Sequence, residues 1–412
     1  MKEFYPPYKK GYPMEIRKLK PEENIQRVLT NSICFVHTTP PADRLSWLEK
    51  PEEHTYGYEN AWGAFDETGR LLSSMLVIPA QIMINNQPTK AGLIGGVTTL
   101  PEARNSRCVR KIFDKIMPLM KEEGVVYSLL YPFSFHFYRK FGYEHAYIRP
   151  RAIFPTSQLS RYPYPDEIKV HDKGGPWADF AKVYEAFAKD KNLAVVRGEK
   201  EWQSILDRDP HKNRDFTYIH YNKASEPTSY ILYKYEPKED GGCRMNIREL
   251  AWVDKHGLEA MLGFVHGLRS EYAEVSWPIP EGLDVLGVVE DPWDVKITQD
   301  TIIMNRIVNV PAALSLTKAP PGKGSAAIQV TDAYIESNTG VYNISWENGN
   351  LSVEKTSIKP DMETDVETLV QLTTGYLTPA QALYRKNNVI HSKPEELAAL
   401  FPRQNLYLME GF

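Results

Sequence analysis

The stretch from Gly92 to Met120, GLIGGVTTLPEARNSRCVRKIFDKIMPLM, constrains the fold of this chain more than any other. Leu93 to Leu100 is a β-rich run that Pro101 closes, and a turn carrying Arg104 and Arg107 follows. Val109, Ile112, Phe113, Ile116, Met117 and Met120 then recur at three- and four-residue spacing, which is one face of an α-helix. A strand that runs through a cationic turn into a helix points unpaired backbone N–H groups above the turn. With the positive end of the helix dipole, those groups favour a phosphate or pyrophosphate. An ordinary β-α corner with a solvated basic turn has the same pattern, and on this stretch alone the two readings stand level.

At 412 residues the chain is long enough for two or three domains. Lys plus Arg number 49 against 53 Asp plus Glu, a net charge of −4 that argues against nucleic acid as the main partner. No run of 18 apolar residues occurs, and MKEFYPPYKKGYPMEIRK at the start has no apolar segment, so no membrane partner is expected. Cys34, Cys108 and Cys243 are far apart and lack metal or CxxC spacing. A reducing, cytoplasmic location and no bound metal are the corresponding expectations.

Met14 to Leu19 reads as a strand, and Pro21 with Glu22 and Glu23 suits the start of a helix whose buried stripe is Ile25, Val28, Leu29 and Ile33. Segment 34–56 holds Asp43, Arg44 and Trp47, either in a helix lining a cleft or, the preferred reading, in a capped surface helix. Residues 61–65, 71–78 and 80–84 form an antiparallel meander. After the opening stretch come a strand at 125–131, a short helix at 134–141 ended by Gly142, and a strand at 143–153. Residues 1–152 therefore read β-α-ββββ-α-β-α-β, a first domain.

From 153 to 293 the strand–turn–helix plan of 92–120 recurs as Ile247 to Val253, the turn DKHG at 254–257, and a helix with Leu258, Met261, Leu262, Val265 and Leu268. This suggests an internal duplication whose second turn has none of the arginines. If the first copy binds an anionic cofactor, the second does not. Residues 294–412 alternate β runs (297–307, 325–330, 340–347, 351–355) with turns, then give two helices at 362–372 and 379–386, and the tail closes with 394–401 and LYLMEGF. They read as an independent α+β domain.

Five stretches spread over nearly the whole chain carry a family likeness: VTTLPEARNSRCVRKIF at 97–113, FYRKFGYE at 137–144, MNRIVNVPAALS at 304–315, LTPAQAL at 377–383, and the closing MEGF. With them the chain resembles the Eis (enhanced intracellular survival) family of N-acetyltransferases, whose first domain has the GNAT acyltransferase fold. The resemblance implies tandem GNAT folds of the α+β / α/β class, the second degenerate, followed by a sterol carrier protein-like α+β domain. It implies acetyl-coenzyme A as co-substrate, with the strand amides of Val97, Thr98 and Thr99 on the pantetheine. Asn105, Ser106, Arg107, Cys108, Val109 and Arg110 would surround the pyrophosphate, and Phe133 and Ser134 would lie beside the thioester. The general acid falls on Tyr138 and the general base on the free carboxylate of Phe412. A homo-oligomer, a hexamer, is also implied.

The residues taken alone read differently: a tyrosine between Phe137 and Phe141 is more often core, and a terminal carboxylate is usually a solvated end. Asp43 and Glu410 read as solvated surface charge, or else as negative potential that draws a polycationic amine. The GNAT turn normally reads Arg/Gln-x-x-Gly-x-Gly/Ala; here Arg104 is in place, but Arg107 and Val109 occupy the two small-residue positions. A side chain at 107 either crowds the pyrophosphate or pairs with it.

The expected function is acetyl transfer to primary amines that are aminoglycoside-like, polyamine-like or lysine side chains. Such an amine has a pKa near about 10 and must lose a proton before it attacks a thioester. The main competitor is a non-catalytic GNAT-like binding protein with a degraded turn. A GNAT-like aminoacyl transferase of cell-wall assembly is a third reading, but it requires a basic tRNA-binding face that the net charge of −4 does not suggest.

Overall fold

The computed structural model describes residues 13–36, 46, 49–50, 57–239 and 241–412. Asp43, Arg44 and Trp47 lie outside the described residues. The first region contains β1 (Glu15–Lys18), α1 (Asn24–Cys34), β2 (Ala61–Phe65), β3 (Leu71–Ile84), β4 (Gln87–Thr99), α2 (Cys108–Glu122), β5 (Tyr127–Leu130), α3 (Phe135–Arg139) and β6 (Glu144–Pro155). The runs 71–78 and 80–84, expected as two strands, are the single strand β3. Proline is tolerated inside it because β2 ends opposite Leu76, so β3 has no β2 neighbour at Pro79. Asn85 and Asn86, both with positive φ, form the tight turn into β4.

The second region holds β7 (Ile168–Val170), α4 (Ala178–Ala188), β8 (Lys191–Asn192), α5 (Glu199–Leu206), α6 (Pro210–Asn213), β9 (Asp215–Tyr221), β10 (Pro227–Pro237), β11 (Cys243–Trp252), α7 (Lys255–Gly267) and β12 (Glu274–Pro278). β13 (Lys296–Ile307) follows. All of these strands except β8 join one 12-stranded sheet in the order β1-β2-β3-β4-β5-β13-β6-β12-β11-β10-β9-β7. The expected third domain, 294–412, included residues 296–307; here they hydrogen-bond between β5 and β6 in the long sheet. Ile303, Met304 and Ile307 are fully buried, as a central strand covered on both faces requires.

The last region is α8 (Val310–Ser315), β14 (Lys323–Thr331), β15 (Gly340–Glu347), β16 (Asn350–Thr356), β17 (Met362–Asp365), α9 (Val366–Thr373), α10 (Pro379–Ala382), β18 (Val389–Ile390), α11 (Pro394–Leu400) and β19 (Asn405–Leu406). The helix expected from Met362 starts only at Val366. Met362–Asp365 instead pairs parallel with β14, and Asp365 caps α9 by accepting from the N–H of Thr368.

The sheet of the first region is covered on both faces. On one side α2 buries Ile112, Phe113, Ile116, Met117 and Met120 against Ile94, Leu130 and Met304. On the other, Leu93, Tyr127 and Leu129 share a core with Ile328, Leu369, Leu397 and Leu408 of the last region. Two buried ionic groups fix that junction. Arg306 and Asp332 pair at 2.7 Å with both side chains fully buried, and Arg306 also donates to the carbonyl of Phe141. Glu144 accepts from Arg139 on one side and Arg385 on the other, at 2.9 and 2.7 Å. No helix among the described residues is long and apolar enough to cross a membrane.

Candidate active site

β4 and β5 pair in parallel only from Ala91↔Tyr127 to Ile94↔Leu130; there β5 stops and β4 runs on. Beyond Ile94 the edge of β4 that faced β5 is open. β4 also carries a bulge at this point, marked by the register shift opposite Ser74–Leu76 and by Gly96 at φ +54°. Past the bulge its other edge is stapled to β3: the hydroxyls of Ser74 and Thr98 lie 3.0 Å apart, and those of Ser73 and Thr99 lie 2.9 Å apart. The N–H of Leu100 donates to the carbonyl of Leu72 across the same pairing. Alternation along the strand then turns the amides of Val97 and Thr99 to the open edge and that of Thr98 to β3.

The turn into α2 has left-handed backbone at Asn105 (φ +64°) and Arg107 (φ +59°). Arg107 thus adopts the conformation that a glycine would take there, at a cost of about 1–2 kcal/mol, with its side chain exposed. No side chain caps α2, and among the described residues nothing accepts from the N–H groups of Cys108, Val109 and Arg110. Among the described residues the buried hydroxyl of Ser106, beside them, has no partner either. These free donors at a helix start fit a phosphate. The side chains are engaged elsewhere. Cys108 Sγ is buried 3.8 Å from Met14 Sδ, Val109 packs on the core, and the Arg110 guanidinium sits 5.2 Å over Phe141 and 5.6 Å over Tyr334.

The second copy has the same outline with both openings filled. Asp254 caps α7, accepting from the N–H of Gly257 at 2.9 Å where a phosphate would otherwise sit. β11 and β12 stop pairing at Asn246↔Ser276, and the Arg151 guanidinium occupies the gap, donating to the carbonyls of Ile247 and Ser276 at 3.2 Å.

Past β5 the chain continues from Tyr131 to Tyr138, which lies in a core that Val97 of β4 packs against. Ser134 caps α3, accepting from the N–H of Phe137 at 3.3 Å. Tyr138 is buried, with its ring 5.3 Å from that of Phe133, which is itself 72% exposed. Burial, and to a lesser extent Tyr143, holds the Tyr138 phenol well above its usual pKa, so it stays protonated. Phe412 reaches the same place from the far end of the sequence: its ring lies 4.9 Å from Tyr131, and a β-carbon at Gly95 would stand 2.8 Å from its carboxyl carbon. Only glycine leaves room for that approach. Thus Phe412 meets β4 at the bulge, and Tyr138 meets Phe133, along one short segment.

The tail that delivers Phe412 is tied down residue by residue. β19 pairs with β8, Tyr407 and Leu408 are buried, and the Tyr131 hydroxyl donates to the carbonyl of Glu410. Glu410 was expected at the solvated surface; instead its carboxylate accepts from Arg197 Nε at 2.7 Å, and Arg197 also grips Glu249 through two bonds of 2.9 Å. Arg197, Glu249, Tyr131 and Gly95 gave no usable signal in the sequence, because their partners are far along the chain. A cavity of about 780 Å³ opens behind Phe412, between β3, β4 and β6 on one side and α5, β10 and β11 on the other.

Comparison with known proteins agrees with this architecture. Residues 15–146 and 193–307 match two acetyltransferase (GNAT) domain families, and residues 310–409 match a sterol carrier protein domain. No curated protein matches the chain. Among solved structures, a GCN5-related N-acetyltransferase from Anabaena variabilis ATCC 29413 superposes with a TM-score of 0.85 at 20% identity, covering 97% of this chain and 100% of that one. A GCN5-related N-acetyltransferase from Kribbella flavida gives 0.79 at 17% identity, covering 97% and 98%. Eis1 from Mycobacterium abscessus gives 0.78 at 18% identity, covering 97% and 100%. Tandem GNAT domains followed by a sterol carrier protein domain make up this chain, and that is the make-up of an acetyltransferase enzyme.

Proposed function

We propose that the chain is an Eis-type N-acetyltransferase that moves an acetyl group from acetyl-coenzyme A to a primary amine. The observation that carries this reading is the docking of the Phe412 carboxyl against Gly95, at the bulge beside the open edge of β4. In this reading, bound acetyl-coenzyme A supplies an activated acyl thioester. The free amides of Cys108 to Arg110 and the hydroxyl of Ser106 hold its phosphates, while the Val97 and Thr99 amides hold its arm along β4. The Phe412 carboxylate attracts the substrate ammonium and takes its proton. The Tyr138 phenol gives its proton to the departing thiolate sulfur. The reading also carries a cytoplasmic homo-hexamer, which light scattering of the purified protein checks.

Isothermal titration of acetyl-coenzyme A into the full chain and an Arg107→Gly variant tests the first half. Dissociation constants in about the micromolar range are expected for both. Binding by neither removes acetyl-coenzyme A from the mechanism. The second half is tested by thiol release over an amine panel with Phe412 deleted or followed by added residues. Turnover about 100-fold lower with unchanged thermal unfolding is expected. Unchanged turnover takes the carboxylate out of the mechanism.

A further inference from the structure

The cavity behind Phe412 is basic, although the chain as a whole carries a net charge of −4. Among the described residues seven basic side chains line it, against three glutamates and the Phe412 carboxyl. The glutamates are already committed. Glu249 and Glu410 hold Arg197, and Glu201 accepts from the N–H of Gly198 at 2.9 Å. Three of the cations, Arg208, Arg248 and Lys234, are less well matched. Arg208 and Arg248 share one carboxylate, Asp215, at 3.8 and 3.3 Å. Lys234 stands opposite Asp215 in the β9–β10 register, and no carboxylate among the described residues lies within ion-pair distance of it. Arg248 reaches Asp215 from an irregularity in the β10–β11 pairing.

Burial, and next the charge of Arg248, holds Arg208 below the ordinary guanidinium range. Like charges crowded around a single counterion destabilise one another until a further anion joins them. Coenzyme A phosphates do not account for this group. Arg104, Arg107 and Arg110 lie at the head of α2, and none of them lines the cavity.

We infer that the amine acceptor also carries an anionic group, a carboxylate or a phosphate, which sits among Arg208, Arg248 and Lys234 while its amine faces Phe412. The inference rests on the amine-acetylation reading above and narrows it away from polycationic acceptors. Paired guanidiniums present forked donors suited to either anion, and a cavity of about 780 Å³ accommodates a small-molecule acceptor.

The test uses ω-amino carboxylates and ω-aminoalkyl phosphates of graded length, each beside its uncharged amide or alcohol counterpart, with spermine as the polycation. Binding to the full chain is measured calorimetrically, and acetylation by thiol release. At the best length the anionic member is expected to bind at least tenfold more tightly than its counterpart. Whether the carboxylate or the phosphate series leads identifies the anion. Lys234→Gln, at an exposed position without an ion pair, is expected to shrink the ratio at least threefold, a change that general misfolding would not produce selectively. Equal affinity across every pair, no binding at any length, or tighter binding of spermine overturns the inference. Anion-selective binding without thiol release from any amine leaves the anion site standing and removes the acetyl-transfer reading instead.

Discussion

Gly95 decides whether a carboxylate can stand at the β4 bulge. Gly95→Ala places a methyl group 2.8 Å from the Phe412 carboxyl carbon, so the tail has to shift. Under the proposed mechanism a displacement of that order is expected to lower turnover about 100-fold while coenzyme A binding, proposed for the other stretch of β4, persists. Steady-state kinetics beside a titration separate the two, and undiminished turnover would mean that the docking is incidental. At Tyr138 the removal of one oxygen is the sharper test. Tyr138→Phe is expected to lower turnover about 10²- to 10⁴-fold. Burial raises this phenol, so protonation persists beyond its ordinary pKa of 10.0 and the wild-type rate should show no alkaline fall from Tyr138 below that pH. A fall below that pH, abolished in Tyr138→Phe, would contradict the environment described here.

Among elements, α2 was legible and β17 was not, for the same reason. The spacing of Ile112, Phe113, Ile116, Met117 and Met120 belongs to a helix with one buried face, and local periodicity encodes that. Met362–Asp365 has helical-looking spacing too, but a parallel partner, β14, decides its conformation. Periodicity cannot register a partner distant in sequence, and Glu410 was misread on that account. β3 was divided at Pro79 although its hairpin partner β4 is adjacent, because the proline is tolerated where β2 no longer pairs. The turn between β4 and α2 was legible as a break between strand and helix, whereas its left-handed backbone at Arg107 was not. The quoted stretches 137–144 and 304–315 prove to supply the ionic joints Glu144 and Arg306. Asp332→Ala leaves Arg306 buried without its carboxylate and is expected to cost about 3–5 kcal/mol in chemical denaturation. Glu367, in the first turn of α9, is pushed up to about 7, chiefly by burial, with Asp365 and Asp332 adding to it. Its folded pKa exceeds the ordinary 4.5, so its contribution to stability is full below that pH and lost as pH rises to about 7. Glu367→Gln should therefore stabilise the protein above pH 7 and change little below 4.5; the opposite pattern would refute the shift.

At the scale of the molecule, the three sequence regions are not three independent cores. β13 follows the second region but completes the sheet of the first, and Leu93, Tyr127 and Leu129 pack with Ile328, Leu369 and Leu397. A fragment ending at residue 309 would expose the face that this shared core covers. It is expected to lose cooperative thermal unfolding and near-ultraviolet dichroism, and a sharp transition in that fragment would show the first two regions to be self-sufficient. The tail has a further consequence in time. Gly95 leaves the ribosome well before Phe412, separated by tens of seconds at about 5–20 residues per second. Under the proposed mechanism a nascent chain still lacks its proton acceptor however many of its earlier strands have been made, so acetylation waits until synthesis has reached Phe412.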